Sequence, residues 1–247
     1  LANKEKVPVG NIDAFIGNQN EEETAFEKLL LAFYNRAFQI TNLDELACMT
    51  ELADYYCSLP ALSSALCAAI HRSRGLSEDI FRAPLELLSI SKKLRSDVLF
   101  KEALILSLGP FRKPKYLMLT DVGLRAIAEK EYNAPSSKVL KAQGLLMTSS
   151  RSYTKFSQLC ESQLSFTATQ PCWPAYFRNL EANPAVFTET SMELGKAIKN
   201  DLGALMKSQL HFNQSGAQSG KGQFKEYFLC SEIGDEVLPW DPEEVDW

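Results

Sequence analysis

NLDELACMTELADYYCSLPALSSALCAAIHR, residues 42–72, carries two helical patterns back to back. Leu46, Met49, Leu52, Ala53 and Tyr56 recur three and four residues apart, the spacing that stacks side chains on one face of an α-helix. Asn42, three residues before Glu45, has the form of a capping box, in which the two side chains satisfy backbone N–H groups at the helix start. Pro60 suits the first turn of a second helix, where its missing N–H is not needed. Leu62, Ala65, Leu66, Ala69 and Ile70 then repeat the apolar stripe, and Arg72, Arg74 and Gly75 close it, with cations favoured at a helix C-terminus. The stretch predicts two short helices joined by a tight connection, and with them an all-α fold.

The same pattern extends outward. Asn20 and Glu23 predict another capping box, followed by a stripe of Phe26, Leu29, Leu30, Phe33 and Ala37. Before it, residues 1–19 lack periodicity, contain Pro8, Gly10 and Gly17, and read as an arm. After residue 75, Pro84 opens a helix through about Leu94, and Ser96 caps one that runs to Gly109-Pro110. Val98, Leu99, Ala103, Leu104, Ile105 and Leu106 make that second helix apolar on most sides, which predicts a central position in its bundle. Asp121 to Tyr132 predicts a further helix. Helical pattern returns over 136–148 and 153–166, Pro171-Cys172-Trp173-Pro174 reads as a break, and a long helix is expected from Thr190. Glu193 completes its cap, and Leu194, Ala197, Ile198, Leu202 and Leu205 form its face. Residues 213–222, NQSGAQSGKG, have flexible-loop composition, and 224–230 form an apolar anchor. No alternating strand pattern and no internal repeat is visible. The expected organisation is an arm over 1–19, a helical bundle over 20–133, and a helical extension over 134–247 that ends in an acidic, Trp-containing tail.

Composition narrows the function classes. The chain has 247 residues, 45% of them apolar, enough for a sizeable core. A net charge of −5 and a pI near 5.3 argue against a nucleic-acid binder, which needs a basic face. No apolar run reaches the roughly 18–20 residues that span a bilayer, and no secretory signal pattern is visible. No membrane association is therefore expected, and the expected setting is cytoplasmic or nuclear. Cys48, Cys57, Cys67, Cys160, Cys172 and Cys230 form no C-x-x-C pair and read as reduced, buried, small apolar residues. Asn213-Gln214-Ser215 is a glycosylation sequon that carries little meaning without a secretory context.

The only histidines, His71 and His211, lie at a helix end and before a loop, and neither sits in a triad motif. No Cys or His spacing matches a zinc site. Gly216 to Gly222 reads G-x-x-x-G-K-G, one residue short of a phosphate-binding loop, lacking its Ser or Thr, and preceded by a helix pattern where a strand is required. Asp54, beside Tyr55, reads as a solvated or locally paired carboxylate. No catalytic, cofactor-binding or metal-ligating residue is assigned, and no cofactor is expected. Carboxylate chemistry remains open, because acids are plentiful and nothing singles out a pair.

Charge is unevenly spread. Arg82 to Lys115 holds eight basic and three acidic residues, while Glu226 to the end holds eight acidic and no basic ones. Either the tail returns to the basic helices, using Trp240 and Trp247 as apolar anchors, or it stays solvated. Glu243-Glu244-Val245-Asp246 looks like a chaperone C-terminal motif, but Trp247 follows and removes the terminal Asp carboxylate that such recognition reads.

Several segments resemble fungal BTB/POZ-domain proteins, across the end of the BTB fold and the helices after it. They are LLAFYN at 30–35, LADYYCSLPALS at 52–63 and KLRSDVLFKEAL at 93–104, with Phe228-Leu229-Cys230 and Pro239-Trp240-Asp241 similar to tails of such proteins. The resemblance covers about a third of the chain, mainly 29–108, and implies a helical bundle with BACK-like helices after the BTB part. The family's N-terminal sheet has no counterpart here, since residues 1–19 are too short to supply it. That sheet carries much of the family's dimer interface, so any homo-oligomer is expected through a region this chain does not cover. The helices after the BTB part often link a recruiter to a substrate, sometimes in cullin ubiquitin ligases, but no residue here matches a cullin contact. The resemblance implies a non-enzymatic protein–protein interaction module or adaptor. The rivals are a helical enzyme using carboxylates or tyrosines and a structural subunit of a larger assembly.

Overall fold

The computed structural model describes residues 18–73, 76–152, 172–183, 192–212 and 217–244, without the side chains of 77, 148–152 and 192–194. Helices and short 3-10 turns account for its regular structure, and no strand occurs among the described residues, so the all-α expectation holds. Residues 1–17 of the arm expected over 1–19, the helical pattern over 153–166, the helix start at Thr190 with the Glu193 and Leu194 side chains, the sequon at 213–215, Cys160 and Trp247 fall outside the described residues, while Asn18 and Gln19 already begin the first helix. The chain divides into two units, Leu1–Ser73 and Arg74–Trp247. Nothing breaks at the expected 133/134 boundary, because one helix runs through it.

The first unit contains α1 (Gln19–Phe33), α2 (Leu43–Tyr55) and α3 (Leu59–Arg72), each packed on the other two. Leu29, Leu46, Met49, Leu62 and Leu66 fill its centre. Asn42 caps α2 as its sequence predicts, accepting the Glu45 N–H at 2.8 Å. The Glu45 carboxylate reaches back to the Thr41 N–H at 2.6 Å, one residue further out than a capping box would place it. In α1 the cap is Asn18 rather than Asn20. Its side chain accepts the Asn20 N–H, and its carbonyl accepts the N–H groups of Glu21 and Glu22. Both helices end with a residue in the left-handed region, Asn35 at φ 49° and Cys57 at φ 53°. The following N–H folds back to the last turn, Arg36 onto the Leu31 carbonyl at 2.8 Å and Ser58 onto the Ala53 carbonyl at 2.6 Å. Buried Ser73 fastens the unit's end by accepting the Ile40 N–H and donating to the Ala69 carbonyl, each at 2.7 Å.

The buried stripe of α1 is Ala25, Leu29 and Ala32, rotated from the expected one. Of the predicted residues only Leu29 is inside, and Phe26, Leu30, Phe33 and Ala37 are exposed. The alanines let the helix axis approach its neighbours closely, and the large side chains are turned outward. On α2, Tyr56 is likewise exposed. Its place in the core is taken by Leu43 and by Thr50, whose hydroxyl is satisfied by the Leu46 carbonyl at 2.7 Å.

The second unit contains α4 (Leu76–Arg82), α5 (Pro84–Lys93), α6 (Asp97–Ser107), α7 (Val122–Ser152), α8 (Trp173–Glu181) and α9 (Met192–Met206). In α6, Leu99, Phe100 and every residue from Glu102 to Ser107 are buried, as its all-round apolar character predicts. The seven-residue α4 was not expected; Leu76 and Ile80 bury its inner side. The two patterns at 121–132 and 136–148 are one helix, α7, with Pro135 inside it. A proline there removes one N–H and crowds the preceding turn, where Ser136 and Ser137 hydroxyls donate to the Tyr132 and Asn133 carbonyls. The Pro171–Pro174 region was expected to be a break, yet α8 starts at Trp173 with Pro174 in its first turn.

A core of Val139, Ala142 and Leu146 from α7, Phe177 and Leu180 from α8, and Ile198, Leu202 and Leu205 from α9 closes around Phe228 and Cys230. Ala197, expected on the inner face of α9, is exposed. The C-terminal segment is thus structural. Phe224, Tyr227, Phe228, Leu229 and Cys230 are all buried. The Phe111 N–H donates to the Glu226 carbonyl and the Gln209 N–H to the Leu229 carbonyl, both at 2.7 Å. Residues 217–222 of the expected flexible loop are fastened too. Buried Ser219 accepts the Leu229 N–H at 2.9 Å, and Gly220, at φ 77°, lies where an added Cβ would sit 2.3 Å from the Pro174 carbonyl oxygen. The tail returns to the basic helices. Trp240 packs edge-on against Phe100 with ring centroids 5.3 Å apart, Lys101 pairs with Asp235 at 2.6 Å, and Arg95 with Glu244 at 3.4 Å.

Candidate functional site

Rotation of α1 leaves an apolar face outside the core. Phe26, Leu30 and Phe33 follow one another at i, i+4 and i+7, with Tyr34 at the helix end. From α2, Tyr56 meets Phe26 with centroids 5.6 Å apart, and Tyr55 stands edge-on to Tyr56 at 5.0 Å. These six large side chains are between 38 and 80% exposed. Isolated exposed apolar residues are ordinary, but a run of aromatics from two helices is the pattern of a docking surface. Size and periodicity place Phe26, Leu30, Phe33 and Tyr56 in the core, where the structure does not have them, and give Tyr34 and Tyr55 no place.

The same helices are acidic. Asn18 to Cys57 holds eight carboxylates (Glu21, Glu22, Glu23, Glu27, Asp44, Glu45, Glu51, Asp54) against Lys28 and Arg36. Lys28 is already paired with Glu45. Burial acts to raise the Glu45 carboxyl, but the Lys28 ammonium and the Thr41 N–H outweigh it and hold the group below the usual range. A hollow of about 560 Å³ opens between the N-terminal turns of α1 and α2, lined by Glu21, Glu22, Asp44, Glu45 and Cys48 among others. Burial, and after it the fields of Glu22, Glu51, Glu21 and Glu45, push the Cys48 thiol up. The hollow is built from polar surface side chains and holds no nucleophile primed for attack.

In the second unit the chemically distinctive group is Glu102, which is fully buried on α6. Its Oε2 accepts the His211 N–H at 2.7 Å and the Phe212 N–H at 3.4 Å, while Oε1 has no hydrogen-bond partner among the described residues. Burial pushes its carboxyl up to about 7, with the two N–H groups pulling the other way. Its signal in the sequence is a carboxylate set among Leu99, Ala103, Leu104, Ile105 and Leu106 in a helix apolar on most sides, whereas Asp97 in the first turn stays exposed. A second hollow of about 590 Å³, lined by Pro110, Arg112, Lys113, Lys115, Leu117 and Met118, lies on the surface of this unit. Glu102 lines neither hollow.

The histidines stay apart from these features. His71 is exposed in the last turn of α3, and His211 contributes its backbone N–H to Glu102 while its side chain is exposed. Asp54 is exposed on α2. Among the described residues no group of three or more His, Cys, Asp or Glu side chains is placed to hold a metal ion. Of the described cysteines, none is in a disulfide, but only Cys230 is fully buried. Cys57 and Cys67 are exposed, contrary to the expectation that cysteines pack inside. No described helix is long and apolar enough to cross a membrane; the longest, α7, is too polar. No protein-family model, no curated protein and no solved structure matches this chain.

Proposed function

We propose that the chain is a non-enzymatic protein-interaction module of the BTB type, acting in the cytoplasm or nucleus. The observation that carries this reading is the exposed aromatic face of Phe26, Leu30, Phe33, Tyr34, Tyr55 and Tyr56 on a mutually packed three-helix unit. Tyrosine and phenylalanine are the residues interfaces favour, because they bring large contact area with few rotatable bonds. The BTB-like segments support the reading in a second way, since LADYYCSLPALS spans the end of α2 and the start of α3, next to that face.

The enzyme reading has one observation on its side, the raised carboxyl of Glu102. A general acid needs access to substrate, and Glu102 is sealed inside α6, so its task is better read as fastening residues 211–212. The test is affinity capture with the full chain and with Phe26→Ala/Tyr56→Ala, compared by mass spectrometry. The expected result is a defined partner set held by the wild type and lost in the variant at unchanged melting temperature. Identical sets from both proteins would remove the face from the function.

A further inference from the structure

The charge around the aromatic face selects the kind of partner, and we infer that the face takes a basic amphipathic helix from another protein. The inference rests on the interaction reading above and goes further by naming the chemistry of the occupant. Phe26, Leu30 and Phe33 form a ridge along α1, and such a ridge seats against the groove of a second helix whose own apolar residues recur at the same period. At the N-terminal end of that ridge stand Glu22 and Glu23, with Glu27 three residues before Leu30 on the same side of the helix. Glu51 lies four residues before Tyr55 on α2. The apolar centre is therefore rimmed by carboxylates, and the complementary surface is an apolar stripe flanked by Lys and Arg. A symmetric second copy fits poorly, because a two-fold axis would bring this patch and its carboxylates against themselves.

Fluorescence anisotropy with dye-labelled amphipathic peptides of about 18 residues tests this. One peptide is built of Leu and Lys, the other of the same Leu positions with Glu. The full chain is compared with Phe26→Ala/Leu30→Ala and with Glu23→Lys/Glu27→Lys, all four positions being exposed, and circular dichroism confirms that each is folded. The Leu/Lys peptide is expected to bind the wild type, to lose about tenfold in affinity on either variant, and to weaken as salt rises from about 0.05 to about 0.5 M. The Leu/Glu peptide is expected to bind at least about tenfold more weakly than the Leu/Lys peptide. Equal binding of both peptides, lost in Phe26→Ala/Leu30→Ala, would keep the docking face and overturn the basic partner. Binding of the Leu/Lys peptide that survives Phe26→Ala/Leu30→Ala would overturn the inference and the face together. Self-association abolished by that variant, or peptide binding seen only after deletion of 1–17, would assign the face to a second copy or to the chain's own N-terminal segment and overturn the inference.

Discussion

Replacing Glu102 by glutamine isolates the pH dependence of one buried group. Folding raises this carboxyl from 4.5 to about 7. The folded protein therefore holds a proton that the unfolded chain has released between those two values. Stability from this residue is fully present below about pH 4.5 and is lost as the pH climbs through 7. A shift of this size corresponds to about 3 kcal/mol between pH 4 and pH 8, with a limiting slope of about 1.4 kcal/mol per pH unit. Glutamine keeps the shape and an oxygen for the His211 N–H but does not titrate in this range. The stability of Glu102→Gln relative to wild type should thus improve by about 3 kcal/mol from pH 4 to pH 8. Taking the difference between the two proteins removes Glu45 and Asp121, whose carboxyls are held low by Lys28 and Lys92 and which change stability in the opposite direction. Urea melts followed by tryptophan fluorescence suit the measurement, because Trp173 and Trp240 belong to the second unit, with Glu102, and residues 1–73 contain no tryptophan. A difference that stays constant to within about 1 kcal/mol across this range would show that the carboxyl is not held by its burial.

Gly109→Ala should cost the second unit about 2 kcal/mol or more in the same melts, since the new Cβ would sit 2.0 Å from the Tyr227 ring, which is itself packed against Phe81 and Phe224. Trp240→Ala should lower the melting temperature of that unit by an amount worth about 2 kcal/mol. Removing Asp235 alone should cost less than about 1 kcal/mol, because its side chain is largely solvated. An unchanged melt after deletion of 231–247 would refute the docked tail. Alkylation mapped by mass spectrometry should find Cys57 and Cys67 modified in the native protein. Cys230, whose thiol burial pushes up to about 11, should react at least about a hundredfold more slowly, and equal rates would contradict its burial.

The helices that the sequence locates well, α2, α3, α5 and α6, each follow a start signal, Asn42, Pro60, Pro84 and Ser96, to which α2 and α3 add one apolar stripe and α6 its all-round apolar character. In α1 two stripes compete, Ala25-Leu29-Ala32 and Phe26-Leu30-Phe33, and periodicity gives both the same spacing. Which one turns inward depends on how closely α2 and α3 approach, a tertiary matter, and the preference for large side chains picked the wrong one. The Pro171–Pro174 stretch, read as a break, is where α8 begins, and the patterns over 121–132 and 136–148 belong to one helix that carries Pro135 inside it. The exposed aromatic face and Glu102 are hard to read from the sequence for related reasons. One was absorbed into a presumed core, and the other was hidden by the apolar residues that bury it.

Besides α5 and α4, which pack on it, the buried helix α6 takes partners from far along the chain. Glu102 binds residues 211 and 212, Lys101 reaches Asp235, and Phe100 waits for Trp240. During synthesis these partners follow α6 by more than a hundred residues, which at about 5–20 residues per second is on the order of ten seconds. For that interval the most apolar helix of the second unit has left the ribosome without the segments that close over it. The first unit, whose helices α1, α2 and α3 pack on one another, completes early. A nascent chain stalled before residue 224 should therefore expose α6 to chaperones and proteases while α1 to α3 are already protected, and release of the finished tail should end that vulnerability.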